Sequence, residues 1–212
     1  MNLSNSQKKI VSNVAWSLGG KAVNMASALF VGILIARYLG PESYGLMNYV
    51  ISYVAIFSII ATFGMDNIEI RELSRQNDKK DAIMGTCFCL RMFFATIAYI
   101  VIAISLFYFQ TDKFTSLMVL AYGLTLFTGT GNLLRNYFTS IVQNKYIVKS
   151  EMYRTFVGAG IKILLLWIKA PLEYFIYAQI FDTALVASGY YLSYKSTVGF
   201  ILKWRFDKTF LA

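Results

Sequence analysis

Four ionisable side chains interrupt otherwise long apolar runs of the sequence: Lys21, Arg91, Lys162 and Asp182. Ionisable residues at membrane depth are costly, and they commonly mark a binding or transport site. Three cations against one anion predict a site that attracts an anion. A phosphate or pyrophosphate headgroup would suit it, because Lys acts as a point charge and Arg binds phosphate through two parallel hydrogen bonds.

The neighbours of these charges on a helix are also polar. Asn24 follows Lys21 by three residues, so the two share a helix face. We therefore predict a diphosphate-binding cavity formed by Lys21, Asn24, Arg91 and Lys162, with Asp182 as a coupling residue or an ion-pair partner of a lysine. Two alternatives stay open: small and polar residues also hold membrane helices together, and Arg91 could reach towards the membrane surface. No catalytic residue is predicted.

The composition is that of an integral membrane protein. Apolar residues make up 57% of the chain and charged residues 15%, against a quarter charged in typical globular proteins. The absence of His excludes His-ligated metal sites and His-based acid–base chemistry. Cys87 and Cys89 are two residues apart and point away from each other on a helix, so no local disulfide is expected. No metal and no cofactor are predicted.

Six apolar segments predict an all-α protein, with six transmembrane helices in one bundle over residues 1–195. A helix needs about 20 residues to cross the hydrocarbon core of a membrane. The segments are continuous apolar runs, which disfavours a transmembrane β-barrel. They are residues 11–36, 44–63, 83–109, 114–133, 153–170 and 172–194.

The distribution of basic residues predicts the orientation. Lys and Arg collect in cytoplasmic segments, and most of them lie on one side of the predicted bundle if both termini are cytoplasmic. This asymmetry accounts for most of the net charge of +9, so nucleic acid is not needed as a partner. Tight outer turns are predicted at 40–42, 110–113 and 170–171. The inner segment 64–82 reads as an amphipathic surface helix, and 134–152 is similar.

Short motifs resemble those of a known family. Residues 34–45 read LIARYLGPESYG and are similar to the A-R-x-L-G-P-x-x-Y-G turn of polysaccharide (O-antigen) flippases. Residues 63–66 and 71–74 resemble the inner loop of that family, and 13–16 resemble the start of its first helix. Residues 204–207 resemble the linker that follows its sixth helix. The turn is fairly specific, whereas the other motifs are weak individually.

The resemblance implies membership of the multidrug/oligosaccharidyl-lipid/polysaccharide exporter superfamily, whose members have two six-helix bundles around a central cavity. It implies a flippase, not an enzyme, that moves an undecaprenyl-diphosphate-linked oligosaccharide across the bacterial inner membrane by alternating access. Residues 1–195 would form the N-terminal lobe, and 196–212 would be a cytoplasmic linker. The expected partners are the lipid-linked oligosaccharide, membrane lipid and a second six-helix lobe, present either as a missing C-terminal half or as another chain.

Three alternatives remain at this stage. A multidrug or cation antiporter lobe would need acidic cavity residues, for which Asp182 is the sole clear candidate in the sequence. A membrane enzyme would need a large outer loop or a His/Asp/Glu cluster, and the sequence offers neither. A non-transporting membrane assembly subunit is the third alternative.

Overall fold

The computed structural model describes residues 5–109, 112–199 and 204–205. This part of the chain is helical and contains no strand. Two short 3₁₀ turns, Asn77–Lys79 and Gly129–Gly131, connect some of the helices. The helices are α1 (Asn5–Thr62), α2 (Met65–Arg75), α3 (Lys80–Tyr108), α4 (Lys113–Gly123), α5 (Thr125–Thr128), α6 (Asn132–Ser140), α7 (Asn144–Trp167) and α8 (Leu172–Thr197).

Helix α1 is two helical arms joined at Gly40. Gly40 has φ 72° and ψ 173°, a conformation that glycine adopts without steric cost, and Pro41 starts the second arm, where its missing N–H costs nothing. A straight helix would hold Asn24 and Asn48 about 36 Å apart at 1.5 Å per residue. Both residues instead line one cavity, so the chain reverses at Gly40. This confirms the predicted turn at 40–42.

Two predicted outer turns lie at the same end of the molecule. The Tyr38 hydroxyl, just before the Gly40 turn, donates a hydrogen bond to the Ala170 carbonyl at 3.1 Å. The Tyr38 ring also packs against Phe175, with 5.9 Å between the ring centroids. The turn between α7 and α8 therefore lies beside the turn between the arms of α1. Residues 110–111 of the third predicted turn lie outside the described part of the chain.

The fourth predicted span differs from the structure. Residues 114–133 were expected to form one helix, but α4 ends at Gly123, and α5 and a 3₁₀ turn precede α6. Helix α6 then continues to Ser140, and α7 starts at Asn144, nine residues before the predicted start at 153. Two glycines, Gly129 and Gly131, stand in the 3₁₀ turn, where they weaken regular α-helix.

Two apolar clusters fill the interior, and polar residues lie between them along α3 and α8. On α3, Ile83 and Met84 belong to one cluster and Ala95 and Ala98 to the other, with Arg91 between them. Helix α8 repeats this order: Phe175 and Ile176 lie in the cluster near the outer turns, and Tyr190 and Tyr194 lie in the second. Asp182 stands between the two groups on α8.

Three helical stretches among the described residues are long and apolar enough to cross a membrane: Trp16–Thr62, Lys80–Tyr108 and Lys113–Ser140. The first is 47 residues long and includes the Gly40 turn. Large apolar side chains such as Phe107 and Trp167 are more than four-fifths exposed, as lipid-facing side chains would be. Polar residues exclude α7 and α8 from this set, so the prediction of six spans is not confirmed.

The segment after α8 packs back onto the bundle where it is described. The Trp204 indole donates a hydrogen bond to the Tyr194 hydroxyl at 3.3 Å, and its ring lies 5.6 Å from Phe88. The Arg205 amide donates to the Asp81 carbonyl at 3.1 Å, and Gly85 leaves room for the Arg205 backbone. The rest of the predicted linker, residues 200–203 and 206–212, lies outside the described residues.

Candidate functional site

Three cavities adjoin one another between α1, α4–α6, α7 and α8. The lysine cavity, about 290 Å³, is lined by Asn24, Lys162 and Asp182 among others. The threonine cavity, about 320 Å³, is lined by Thr125, Thr128 and Thr130. The arginine cavity, about 250 Å³, is lined by Arg135 and Arg154. The threonine and arginine cavities share Asn132, Val186 and Tyr190. Arg154 lines both the lysine and the arginine cavities.

Lys162 and Asp182 form an ion pair in the lysine cavity. The Lys162 Nζ lies 2.5 Å from Asp182 Oδ2 and donates to Gln179 Oε1 at 3.2 Å. Gly158, one turn before Lys162, lets α8 come close, because a Cβ there would overlap the Asp182 carboxylate. The other oxygen, Asp182 Oδ1, is buried and accepts no hydrogen bond from the described residues. Of the two roles left open for Asp182, its geometry shows the ion pair.

Asn24 belongs to a polar network that connects α1 with α7. Its Nδ2 donates to Glu151 Oε2 at 3.4 Å, and its Oδ1 accepts from the Thr155 hydroxyl. The Tyr190 hydroxyl donates to Glu151 Oε1 at 3.1 Å. The Arg135 Nε lies 3.8 Å from the same Glu151 oxygen. Asn24 and Lys162 thus line one cavity, and Glu151 places a carboxylate beside Asn24.

Arg91 lies in a buried cluster of charges that the sequence did not predict. Its guanidinium binds Glu69 through two hydrogen bonds, at 2.6 and 2.8 Å, and Asp66 at 2.5 Å. The Asn136 Nδ2 donates to Asp66 at 2.8 Å and to Glu69 at 2.7 Å. Arg91 lines the threonine cavity, but only 2% of its side chain is exposed.

This cluster corrects the predicted charge balance. The count of three cations to one anion was wrong because α2, expected on the membrane surface, inserts the fully buried Glu69 beside Arg91. Burial raises the pKa of the Asp66 carboxyl, but the hydrogen bonds from Asn136 and Arg91 outweigh it and hold that pKa below its ordinary value.

Arg154 was missed as a site residue. Because the fifth span was predicted to start at 153, Arg154 would lie at its cytoplasmic end. Since α7 starts at Asn144, Arg154 lies in its third turn and shares a face with Gly158 and Lys162, at a spacing of four residues. That spacing was the signal in the sequence that could have identified it.

Lys21 is not brought to the other predicted residues. Its side chain is exposed on α1, and it lines none of the three cavities described above. The structure therefore brings together Asn24, Lys162 and Asp182, places Arg91 at the adjoining threonine cavity, and leaves Lys21 outside.

Within the described residues, no group of three or more His, Cys, Asp or Glu side chains could hold a metal ion. Cys87 and Cys89 are both free thiols.

The fold and cavities define a class: a membrane protein, helical throughout its described residues, with adjoining cavities that are lined in part by polar side chains. A model of the family described as polysaccharide biosynthesis protein matches residues 10–211, nearly the whole chain. The chain belongs to this family, which confirms the predicted resemblance, and it is a membrane protein of polysaccharide biosynthesis and transport. Searches of curated proteins and of solved structures found no significant match.

Proposed function

We propose that this chain is a lobe of a lipid-linked oligosaccharide flippase. Its cargo would be a polyprenyl-diphosphate-linked repeat unit, moved across the bacterial inner membrane by alternating access. Members of the family are generally transporters rather than enzymes, and we propose the same for this chain. The cavities would hold the diphosphate and the first sugars, while the polyprenyl tail would stay in lipid.

The proposed topology has six spans and cytoplasmic termini. The two arms of α1, then α3, the α4–α6 stretch, α7 and α8 would be the spans. Helices α7 and α8 are 24 and 26 residues long, which is enough to cross the hydrocarbon core. A second six-helix lobe would face the cavities and complete the transport path, with membrane lipid around both lobes.

One observation carries this proposal: adjoining cavities lined in part by polar and cationic side chains lie between helices that expose large apolar side chains. A soluble anion-binding protein would not need the apolar exterior, and a purely structural bundle would fill its interior. The antiporter alternative needs a carboxylate free to bind a cation. Asp182, its sole candidate by sequence, is paired with Lys162 at 2.5 Å, so this alternative is less well supported.

Translocation in proteoliposomes tests the proposal. The full chain would be reconstituted with a short-chain polyprenyl-diphosphate saccharide, and the saccharide that reaches the outer leaflet would be measured with an external lectin. We expect faster translocation than in protein-free liposomes, and a much lower rate for Lys162→Met, which removes a cavity cation.

A variant of an exposed lysine is the matched control for the translocation assay. Lys113→Met removes an exposed cation at the start of α4 and should leave the rate unchanged. Fluorescent phosphatidylcholine should not be translocated faster by any variant. If the full chain does not accelerate saccharide translocation, either alone or co-reconstituted with a second lobe, the proposal is wrong.

A further inference from the structure

We infer that Arg154 is the residue that makes the first contact with the phosphates of an anionic cargo. This rests on the proposed function and names a binding residue within it. The ligand class is a diphosphate, carried by a lipid or free.

Most cations near the cavities already have partners. Arg91 is paired with Glu69 and Asp66, and Lys162 is paired with Asp182. Arg135 lies 3.8 Å from Glu151. Arg154 makes no ion pair and donates no hydrogen bond to any of the described residues. Its five N–H donors are therefore free for a ligand.

The position of Arg154 suits a ligand that passes from one cavity to another. Arg154 lines both the arginine and the lysine cavities. Its charge lies close enough to the Tyr190 hydroxyl to interact with it electrostatically. Lys162 follows two turns later on the same face of α7, about 12 Å along the helix axis. An anion bound at Arg154 would therefore have a second cation deeper along the same face.

Neither carboxylate of the arginine cavity, Asp66 or Glu151, forms an ion pair with Arg154 within the described part of the chain. Glu151 accepts hydrogen bonds from Asn24 and Tyr190, and Asp66 accepts from Arg91 and Asn136. Each is therefore engaged with groups other than Arg154. Its planar guanidinium matches two phosphate oxygens at once, which a lysine cannot do.

The order of contact follows from these partners. A phosphate can bind Arg154 without displacing any protein group. At Lys162 it must compete with the Asp182 carboxylate, which is 2.5 Å from Nζ. Arg154 therefore binds first, and Lys162 becomes available only when its ion pair opens.

Binding to the purified full chain in lipid nanodiscs tests the inference. The probes are inorganic pyrophosphate and farnesyl diphosphate, measured by isothermal titration calorimetry. Arg154→Gln should weaken binding at least about tenfold, because a hydrogen bond to a charged group contributes about 1.5–3 kcal/mol and each 1.4 kcal/mol is tenfold. Arg154→Lys should recover only part of the affinity. Arg71→Gln removes an exposed arginine paired with Glu72, and it should bind like the wild type.

Each result has a defined meaning. Wild-type affinity in Arg154→Gln overturns the inference while leaving the proposed function in place. No binding of either probe by the wild-type chain overturns both.

Equal losses for both probes show that Arg154 recognises the diphosphate itself. A loss confined to farnesyl diphosphate shows a lipid headgroup as the ligand, and a loss confined to pyrophosphate shows a free anion. Unchanged elution on gel filtration would show that the variant remains folded.

Discussion

Replacement of Glu69 by Gln should destabilise the fold strongly. Glu69 is fully buried, and it receives two hydrogen bonds from the Arg91 guanidinium and one from Asn136. The Gln side chain keeps the volume but removes the negative charge. Arg91, only 2% exposed, would then keep Asp66 as its one carboxylate partner within the described residues.

The structure sets the expected magnitudes. Removal of one partner of a buried ion pair costs about 3–5 kcal/mol of unfolding free energy. Glu69→Gln should lower the unfolding free energy by about 3 kcal/mol, because Asp66 still neutralises part of the Arg91 charge. Arg91→Met should lower the unfolding free energy by about 5 kcal/mol. It leaves the Asp66 and Glu69 carboxylates without their cation, and only the Asn136 amide still donates hydrogen bonds to both.

The assay is equilibrium unfolding in mixed detergent micelles, followed by tryptophan fluorescence. A double variant, Glu69→Leu with Arg91→Met, completes the comparison. Replacement of both partners by apolar residues is often close to neutral, so the double variant should lose less stability than Arg91→Met alone. Phe107→Ala, at a position 86% exposed, is the control and should change stability little.

Additive losses of stability in the double variant would refute the predicted coupling between Glu69 and Arg91. If the loss in the double variant equals the sum of the two single losses, the side chains are not coupled and the buried cluster does not form. A loss below about 1 kcal/mol in Glu69→Gln would show the same, because such a value is typical of exposed ion pairs.

Two further predictions concern acidity and helix packing. The pKa of Asp66 lies below its ordinary 3.8, so its contribution to stability is complete above that value and is lost as the pH falls through the lower folded pKa. Asp66→Asn should flatten this acid-induced loss in a pH series of unfolding measurements, and an unchanged pH profile would count against the cluster. Gly158→Ala should cost about 1–3 kcal/mol in the same assay, because its Cβ would overlap the Asp182 carboxylate. Gly160→Ala, which meets no atom within 4 Å, should cost nothing, and equal effects of the two would contradict the packing.

Several features of the protein were determined by local sequence alone. The apolar content predicted a membrane protein, and the pair Gly40-Pro41 predicted the reversal within α1, because the backbone preferences of these two residues do not depend on distant contacts. Lys162 and Asp182 were identified because a charge within an apolar run is costly wherever it lies. The motif at 34–45 identified the family.

Tertiary packing decided which charges are neutralised. Arg91 is separated from Glu69 by 22 residues and Asn136 from Asp66 by 70, and no periodicity within one segment reports such pairings. The early start of α7 placed Arg154 at the cavities, and the rotation of α1 left Lys21 outside them. A hydrophobic pattern in the sequence describes one helix at a time. The net charge of a cavity is the sum of side chains from several helices, which come together only in the folded chain.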